Sequence, residues 1–187
     1  MISTADFRNG IVIIQKSSLM ELVEFQHVKP GKGGAFVRTK LKNVLTGKVL
    51  DKTFRSGERM EEARVVEEEH QYLYNDGDLF YFMHNDTFDQ VEVSADVVGD
   101  TRDWLKENTN VGLLFHDDNV ISLKLPNTIV LEIAQTDPGL QGDRAQGGTK
   151  PAILETGVTV NVPLFIAEGE SIKVDTRTGD YIERASS

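Results

Sequence analysis

Short segments in which apolar and polar residues alternate run through the whole chain. Such a period of two is typical of half-buried β-strands. Glycine, asparagine and aspartate separate the segments at intervals of about 8–12 residues, the spacing of strands in small sandwiches and barrels. Helical segments that could connect parallel strands are missing, so the sequence predicts an all-β protein built from small barrels.

The alternation predicts strands in three consecutive groups. They lie at Leu19–Val28, Ala35–Asn43 and Val49–Arg55 in the first group, at Gln71–Tyr74, Leu79–His84, Gln90–Val93, Val111–Phe115 and Val120–Leu125 in the second, and at Ile129–Thr136, Val158–Val162, Ser171–Val174 and Tyr181–Glu183 in the third. One helix is expected at Thr101–Asn108, with Thr101 as its N-cap. Each group spans about 60 residues, near the smallest size of a domain that folds alone. We therefore expect three domains in tandem, residues 1–64, 65–127 and 128–187.

Charge is distributed unevenly along the chain, whose formal net charge is -10. Residues 1–64 hold 12 basic and 7 acidic residues, a net of +5. Residues 65–128 hold 3 and 14, and residues 129–187 hold 5 and 9, which gives nets of -11 and -4. Phosphate binding depends on cationic contacts, so the basic first group predicts a local nucleic-acid surface on an acidic protein. Chance segregation of charge is the alternative.

Most kinds of catalytic site lack support in the sequence. The chain has no cysteine, which excludes disulfides, thiolate ligands and a cysteine nucleophile. Its four histidines do not have the spacing of a metal motif. The densest carboxylates, Glu67–Glu69 and Asp117–Asp118, are expected on a solvated strand and in a turn rather than across a glycosidase cleft. The sequence thus predicts a protein that is not an enzyme and that uses no metal or cofactor.

A glycine-rich segment, Gly142–Thr149, nearly matches a P-loop, but Gly148 stands where the phosphate-binding lysine is required. A helix cannot follow directly because Pro151 is close behind. The segment therefore fails as a nucleotide site. It is either a flexible connector or a loop whose backbone and Arg144 approach a ligand closely.

The segment Lys29–Phe36 lies between two predicted strands and is expected to form a hairpin tip. A proline-glycine pair favours the turn, and two further glycines leave Lys32 without bulky neighbours. A single ammonium on a long stem can enter a narrow space lined by RNA.

The strand after the tip is expected to carry cations on one face. Three basic residues alternate there with three less polar ones, and a strand places the two sets on opposite faces. The basic set is Arg38, Lys40 and Lys42. With the lysine tip, this face predicts a surface for a phosphate backbone. A solvated hairpin whose lysines serve solubility is the alternative.

Two stretches of the chain resemble the bacterial translation elongation factor P family. The tip Lys29–Phe36 is similar to the loop that bears the family's modified lysine. The run Lys150–Pro163 is similar to the family signature at nearly every defining position, and it continues through Phe165–Ile166, Gly169–Glu170 and Ile172–Gly179. The resemblance covers the full chain.

The resemblance implies an SH3-like, KOW-type barrel followed by two OB-fold barrels, with the L shape of tRNA. It implies a monomeric, cytoplasmic translation factor that binds both subunits of the bacterial ribosome beside the P-site peptidyl-tRNA, with prolyl- and initiator tRNA as partners. The factor would stimulate peptide bond formation where ribosomes stall at consecutive prolines. A membrane partner is not expected, because the sequence has neither an apolar span nor the pattern of a signal peptide.

By the same resemblance, Lys32 reaches toward the peptidyl transferase centre and helps to orient the peptidyl-prolyl ester. A lysine-modifying enzyme is expected to act on Lys32. The rhamnosylation of arginine found in some members is excluded by the lysine, whereas a β-lysyl group, an aminopentanol extension and no modification all remain open. Residues expected to contact P-site tRNA or ribosomal RNA are Lys29, Pro30, Gly31, Lys32, Gly33, Gly34, Arg38, Lys40 and Lys42. Those expected to contact the small subunit or mRNA are Gly142, Asp143, Arg144, Gly147, Gly148, Thr149, Tyr181 and Arg184.

Two other classes of function are weighed against this one. A general RNA-binding module that acts off the ribosome is the main alternative, and a carboxylate-based hydrolase is the other. The acidic middle group would limit non-specific binding to RNA. It is expected either to face a basic ribosomal protein surface or to reproduce the acidity of tRNA.

Overall fold

Strands dominate the computed structural model, which describes residues 1–139 and 147–185. The strands of these residues are β1 Ile2–Ser3, β2 Val12–Gln15, β3 Ser18–Val28, β4 Phe36–Asn43, β5 Val49–Arg55, β6 Arg59–Ala63, β7 Val65–Asn75, β8 Leu79–His84, β9 Gln90–Ser94, β10 Asn110–His116, β11 Asn119–Lys124, β12 Thr128–Thr136, β13 Thr149–Leu154, β14 Thr159–Pro163, β15 Ser171–Asp175 and β16 Tyr181–Arg184. The helical elements are short: α1 at Ala95–Val98, and 3₁₀ helices at Thr4–Asp6 and Gly99–Trp104. The predicted all-β class is confirmed.

The strands form three sheets. The N-terminal sheet has the order β1-β6-β2-β3-β4-β5, the middle sheet β11-β10-β7-β8-β9, and the C-terminal sheet β14-β13-β12-β15-β16. In the N-terminal sheet, β2, β3, β4 and β5 pair as an antiparallel meander. Short turns suffice to connect such strands, which explains why long crossover helices are not needed.

The alternation in β4 places its two sets of residues as the sequence predicts. Val37, Thr39 and Leu41 are buried, and the basic residues between them are exposed. Val37 and Leu41 pack with Leu22 and Phe54 in the core of the N-terminal sheet. The hydrophobic effect thus fixes the face on which the cations lie.

A β-bulge interrupts β3 at Val23. Leu22 pairs with Leu41 and Glu24 pairs with Lys40, so Val23 is an extra residue without a partner across the ladder. Such a residue shifts the alternation by one position. Before the bulge the buried residue is Leu22, and after it Phe25 packs against the same core.

Separate cores lie beneath the other two sheets. Phe82 and Leu113 are fully buried in the middle sheet, with Tyr72 and Phe80 beside them. The C-terminal core gathers buried aliphatic side chains from four of its strands and from Ile166. Large buried apolar side chains each contribute about 1.5–3 kcal/mol, so each sheet has a core of its own to stabilise it.

Several sequence-based assignments are wrong or incomplete. The helix predicted at Thr101–Asn108 is not formed: the 3₁₀ helix ends at Trp104, and Asn108 has a φ of 67°. Thr101 is not its N-cap, since its hydroxyl donates to the carbonyl of Val98. Buried Leu105 requires an extended backbone there, and this tertiary contact outweighs local helix propensity. The prediction also lacked β1, β2, β6 and β13.

The chain divides into two compact units, Met1–Val66 with Phe115–Ile121, and Glu67–Leu114 with Ser122–Ser187. The division into domains at residues 64 and 127 stays a prediction.

In the part of the chain that the structure describes, no helix combines the length and the apolar character needed to cross a membrane.

Candidate functional site

The lysine tip is the loop between β3 and β4. The last pair of the hairpin ladder is Val28 with Phe36, so the loop begins at Lys29. Lys29 to Gly34 are all exposed. The end of the loop is fixed to the residue that follows β5, because the backbone N–H of Ser56 donates to the carbonyl of Ala35 at 3.0 Å. The hairpin therefore projects a short loop from a rigid base.

The three glycines of the tip have different roles. Gly33 has a φ of 111°, a conformation that residues with a side chain rarely adopt. A Cβ added at Gly31 or Gly34 would meet no atom within 4 Å. The backbone therefore requires only Gly33, while the other two keep the space around Lys32 open.

Lys32 presents an unengaged ammonium. Among residues 1–139 and 147–185, no side chain or carbonyl forms a hydrogen bond or ion pair with it. An ammonium carries three donors and no acceptor, so all three remain for a group outside the protein. The site therefore offers one exposed, unengaged cation to a ligand.

The basic face of β4 is less uniform than its sequence predicts. Lys40 pairs across the ladder with Glu24 and Asp51, and its Nζ lies 3.4 Å from the Glu24 carboxylate. Lys42 pairs with Glu21. These carboxylates offset the two lysines, so the positive charge of the face is weaker there than the basic residues alone suggest.

Arg38 has no carboxylate opposite it in the ladder, and it has a second arginine nearby, Arg55, that sequence reasoning missed. Its ladder partners are Gln26 and Thr53, both neutral, and its guanidinium lies 5.6 Å from the centre of the Phe36 ring. Phe36 pairs in turn with exposed Arg55 of β5. The two arginines thus lie near the tip end of the hairpin. The tight turn between β4 and β5 fixes this register and was the clue that could have revealed Arg55.

The predicted second surface is described only in part. Gly142, Asp143 and Arg144 lie outside the described residues. Gly147 has a φ of 80°, and a Cβ added at Gly148 would lie 3.0 Å from the side chain of Leu164. Thr149 begins β13 and pairs with Pro163 of β14. Glycine is therefore favoured at 147 by conformation, whereas a side chain at 148 would require the side chain of Leu164 to shift.

Tyr181 and Arg184 lie on β16, which β12 and β15 separate from β13 in the sheet. Tyr181 is partly buried against the C-terminal core. The Arg184 guanidinium lies 3.0 Å from a carboxylate oxygen of Glu170. Hydrogen bonds from the backbone of Ala167 and from Arg184 lower the pKa of that carboxyl. Arg184 is therefore engaged within the protein.

Lys150, at the start of the family-like run, is a buried lysine. Only 8% of it is exposed, and its Nζ donates to the carbonyl of Asp137 at 2.6 Å. A buried ammonium needs such a partner, because desolvation of an unpaired charge is costly. Its role is to hold β13 against the end of β12.

Of the residues considered for catalysis or metal binding, His70 and His84 lie together, paired across β7 and β8 with their ring centres 5.0 Å apart. No group of three or more potential metal ligands comes together in residues 1–139 and 147–185. Asp117 and Asp118 have φ values of 48° and 64° in the turn between β10 and β11, which is the geometry of turn-forming residues.

Known families and relatives match the whole chain. The elongation factor P KOW-like domain matches residues 3–60, the elongation factor P OB domain residues 65–123, and the elongation factor P C-terminal domain residues 129–184. The predicted KOW-type and OB domain classes are thereby confirmed. Elongation factor P of Kocuria rhizophila is 52% identical over 186 residues, which cover 100% of both chains. Elongation factor P of Saccharopolyspora erythraea is 55% identical, over 100% of this chain and 99% of the relative.

A solved structure supports the fold. The chain is similar to a translation initiation factor eif-5a family protein from Naegleria fowleri, with a TM-score of 0.51 and 18% identity over 66% of this chain and 96% of that one. At that identity the likeness concerns the fold alone. The matches of the three domain families and the relatives over the full length carry the assignment: the chain belongs to the elongation factor P family of translation elongation factors.

Proposed function

We propose that this protein binds the bacterial ribosome beside the P-site peptidyl-tRNA and stimulates peptide bond formation at consecutive prolines. The observation that carries the proposal is the unengaged ammonium of Lys32 on a glycine-rich tip that projects from a rigid hairpin. The protein acts as a positioning factor in the cytoplasm, as a monomer, and not as an enzyme.

The tip acts through orientation. Lys32 reaches toward the peptidyl transferase centre and donates hydrogen bonds to the acceptor end of the P-site tRNA or to the RNA around it. Restricting the peptidyl-prolyl ester to a reactive geometry lowers the entropic part of the barrier, an effect that reaches several kcal/mol in well-oriented reactions, about 7–11 at its upper range. A general base is not needed for this role.

The hairpin behind the tip holds the RNA backbone. Lys29 to Gly34 line the tip, Arg38, Lys40 and Lys42 follow on β4, and we add Arg55 because it lies across the ladder from Phe36. The arginines near the tip contribute most, since Glu24 and Glu21 partly neutralise the lysines farther along. This arrangement concentrates phosphate contacts near the end that approaches the tRNA.

The second surface contacts the small subunit or mRNA. It comprises Gly142, Asp143, Arg144, Gly147, Gly148 and Thr149 around the glycine-rich segment, with Tyr181 and Arg184 on β16. The close packing of Gly148 on Leu164 supports it, since a larger residue would push the side chain of Leu164 aside. Three domains, 1–64, 65–127 and 128–187, would divide these tasks.

The test is translation of a message that encodes Pro-Pro-Pro in a reconstituted system. Added protein should increase full-length product, Lys32→Ala should abolish the increase, and Lys48→Ala should leave it unchanged. Lys48 is the matched control, because it is an exposed lysine in the turn at the other end of β4. A lack of stimulation by the wild-type protein would refute the proposal, and full rescue by Lys32→Ala would refute the role of the tip.

A lysine-modifying enzyme is part of the proposal. Exposure and the open space at Gly31 and Gly34 make Lys32 accessible to such an enzyme. Intact-mass and peptide mass spectrometry of protein from its native host should show added mass at Lys32 and at none of the other lysines. An unmodified mass would show that the bare ammonium is the working group.

A general RNA-binding module is the second candidate, which the basic face around Arg38 favours. Full-length protein would then bind deproteinised ribosomal RNA as tightly as intact ribosomes at the same salt concentration. We expect the ribosome to be preferred, since the net charge of -10 opposes contact with bare RNA elsewhere on the molecule.

A further inference from the structure

Phe88 is an exposed aromatic residue held in an unfavourable backbone conformation. Its side chain is largely in solvent, with 66% of the residue exposed, and its φ is 62°. Bulky residues rarely adopt this left-handed conformation, which glycine or asparagine adopts more easily. In the described residues, the other non-glycine positions with positive φ carry polar side chains, namely Lys16, Ser17, Asn108, Asp117 and Asp118.

The turn that carries Phe88 is fixed by hydrogen bonds. The backbone N–H groups of Asp86 and Thr87 donate to Nδ1 of His84 at 3.1 and 3.2 Å, and the N–H of Phe88 donates to the carbonyl of His84 at 3.0 Å. The N–H of His84 donates to the carbonyl of Asp89 at 2.9 Å. These bonds fix the backbone of the turn, so the position of the Phe88 Cα is defined before any partner arrives.

The fold itself does not account for a phenylalanine at this position. With 66% of the residue exposed, the side chain buries little apolar surface, and in the part of the chain that the structure describes its ring stacks on no other aromatic ring. The exposed ring therefore contributes little to stability while its backbone carries strain. Strained backbone positions of this kind persist at sites that contact ligands.

We propose that Phe88 is an anchor that enters an apolar pocket on a basic protein surface. Aromatic residues held rigidly at the surface are typical binding hot spots. The charge around Phe88 selects the partner: Asp86 and Asp89 flank it, and residues 65–128 have a net charge of -11. An RNA backbone would be repelled by this turn, whereas lysine and arginine at the rim of a pocket would be attracted to it.

The inference rests on the proposed function to the extent that we place the partner among the proteins of the ribosome. Purified ribosomes are therefore the probe. Phe88→Asn should reduce ribosome affinity about tenfold or more, as loss of a hot spot does. It should leave the melting temperature unchanged or raise it by about 2–4 °C, because asparagine accepts the left-handed conformation. A lower melting temperature would show that the ring supports the fold and would overturn the proposal.

Phe165 supplies the matched control. It is 67% exposed, like Phe88, but its φ is not positive. Phe165→Asn relieves no strain, so it should not raise the melting temperature. If the melting temperature rises equally in both variants, the gain comes from replacing an exposed phenylalanine with a polar residue. Backbone strain at Phe88 would then be unsupported.

Two further measurements identify the class of partner. Asp86→Asn combined with Asp89→Asn should weaken ribosome binding at low salt, and tighter binding would indicate RNA as the partner and overturn the proposal. A benzoylphenylalanine in place of Phe88 should cross-link to ribosomal protein. Cross-links only to RNA, or none, would likewise overturn it.

These results separate the inference from the proposed function. If wild-type protein neither binds ribosomes nor relieves proline stalling, the proposed function fails. If wild-type protein does both and Phe88→Asn binds as tightly as wild type, the proposed function stands and the anchor is wrong.

Discussion

The ammonium of Lys106 lies 2.8 Å from a carboxylate oxygen of Glu155. The same oxygen accepts the backbone N–H of Glu132 at 2.8 Å. Two residues before Lys106, Trp104 packs against the C-terminal core, and a Cβ added at Gly179 would lie 3.8 Å from its ring. An ion pair and an aromatic contact therefore fix the segment after the second 3₁₀ helix to the C-terminal sheet.

Glu155 makes this contact sensitive to pH. Burial alone would raise the pKa of its carboxyl, but the hydrogen bonds from Lys106 and from the backbone of Glu132 outweigh burial and lower it below 4.5. A carboxyl with a lower pKa in the folded state stabilises the fold above its unfolded value and loses that contribution as the pH falls through the folded value. We expect Glu155→Gln to lower the free energy of unfolding by about 1 kcal/mol at neutral pH, and by less as the pH falls below 4.5.

Urea unfolding at neutral pH and below pH 4.5 measures this difference. Glu183→Gln is the control, because that carboxylate lies 3.2 Å from Lys173 but its side chain is 61% exposed. An equal loss of stability at both pH values in Glu155→Gln would contradict the assignment.

Arg38→Ala should weaken ribosome binding more than Lys40→Ala or Lys42→Ala. The two lysines have carboxylates opposite them in the ladder, whereas the neighbours of Arg38 are neutral. Loss of a phosphate contact should reduce the salt dependence of log Kd by about 1, and we expect that change for Arg38→Ala alone. Binding measured across a series of salt concentrations tests this, and equal effects of the three variants would count against it.

Gly33→Ala should damage the tip, and Gly34→Ala should not. The positive φ of Gly33 would cost an alanine about 1–2 kcal/mol, whereas a Cβ at Gly34 meets no atom within 4 Å. Urea unfolding should show that loss for Gly33→Ala and a change within about 0.5 kcal/mol for Gly34→Ala. Identical stability of the two variants would show that the tip adopts another conformation.

Lys150→Met should destabilise the protein by about 1–3 kcal/mol, since it removes the hydrogen bond that the buried, charged ammonium donates to the carbonyl of Asp137. Lys173→Met is the control: that lysine makes a partly exposed ion pair, worth about 0–1 kcal/mol. Thermal and urea unfolding of both variants measure the contrast. If Lys150→Met is as stable as the control, the buried ammonium is not a structural element.

The period of two was enough to predict β4 and its exposed cations, because burial of Val37 and Leu41 decides the face. It was not enough for β6, whose charged sequence pairs with β2 only through the tertiary fold. The helix at Thr101–Asn108 failed because burial of Leu105 overrides local preference. The position of Glu21 opposite Lys42 could not be predicted, since it depends on the bulge at Val23.

The bulge at Val23 also determines where the chain can change its length. Removing Val23 would leave every other residue of β3 on its present side, because the unpaired residue is the one that interrupts the regular order. Removing a residue from β4, which has no such irregularity in its pairing with β5, would turn the remainder of that strand over and bury its cations. The N-terminal sheet can therefore lose a residue within β3 and keep its charged surface, whereas a loss within β4 would erase it.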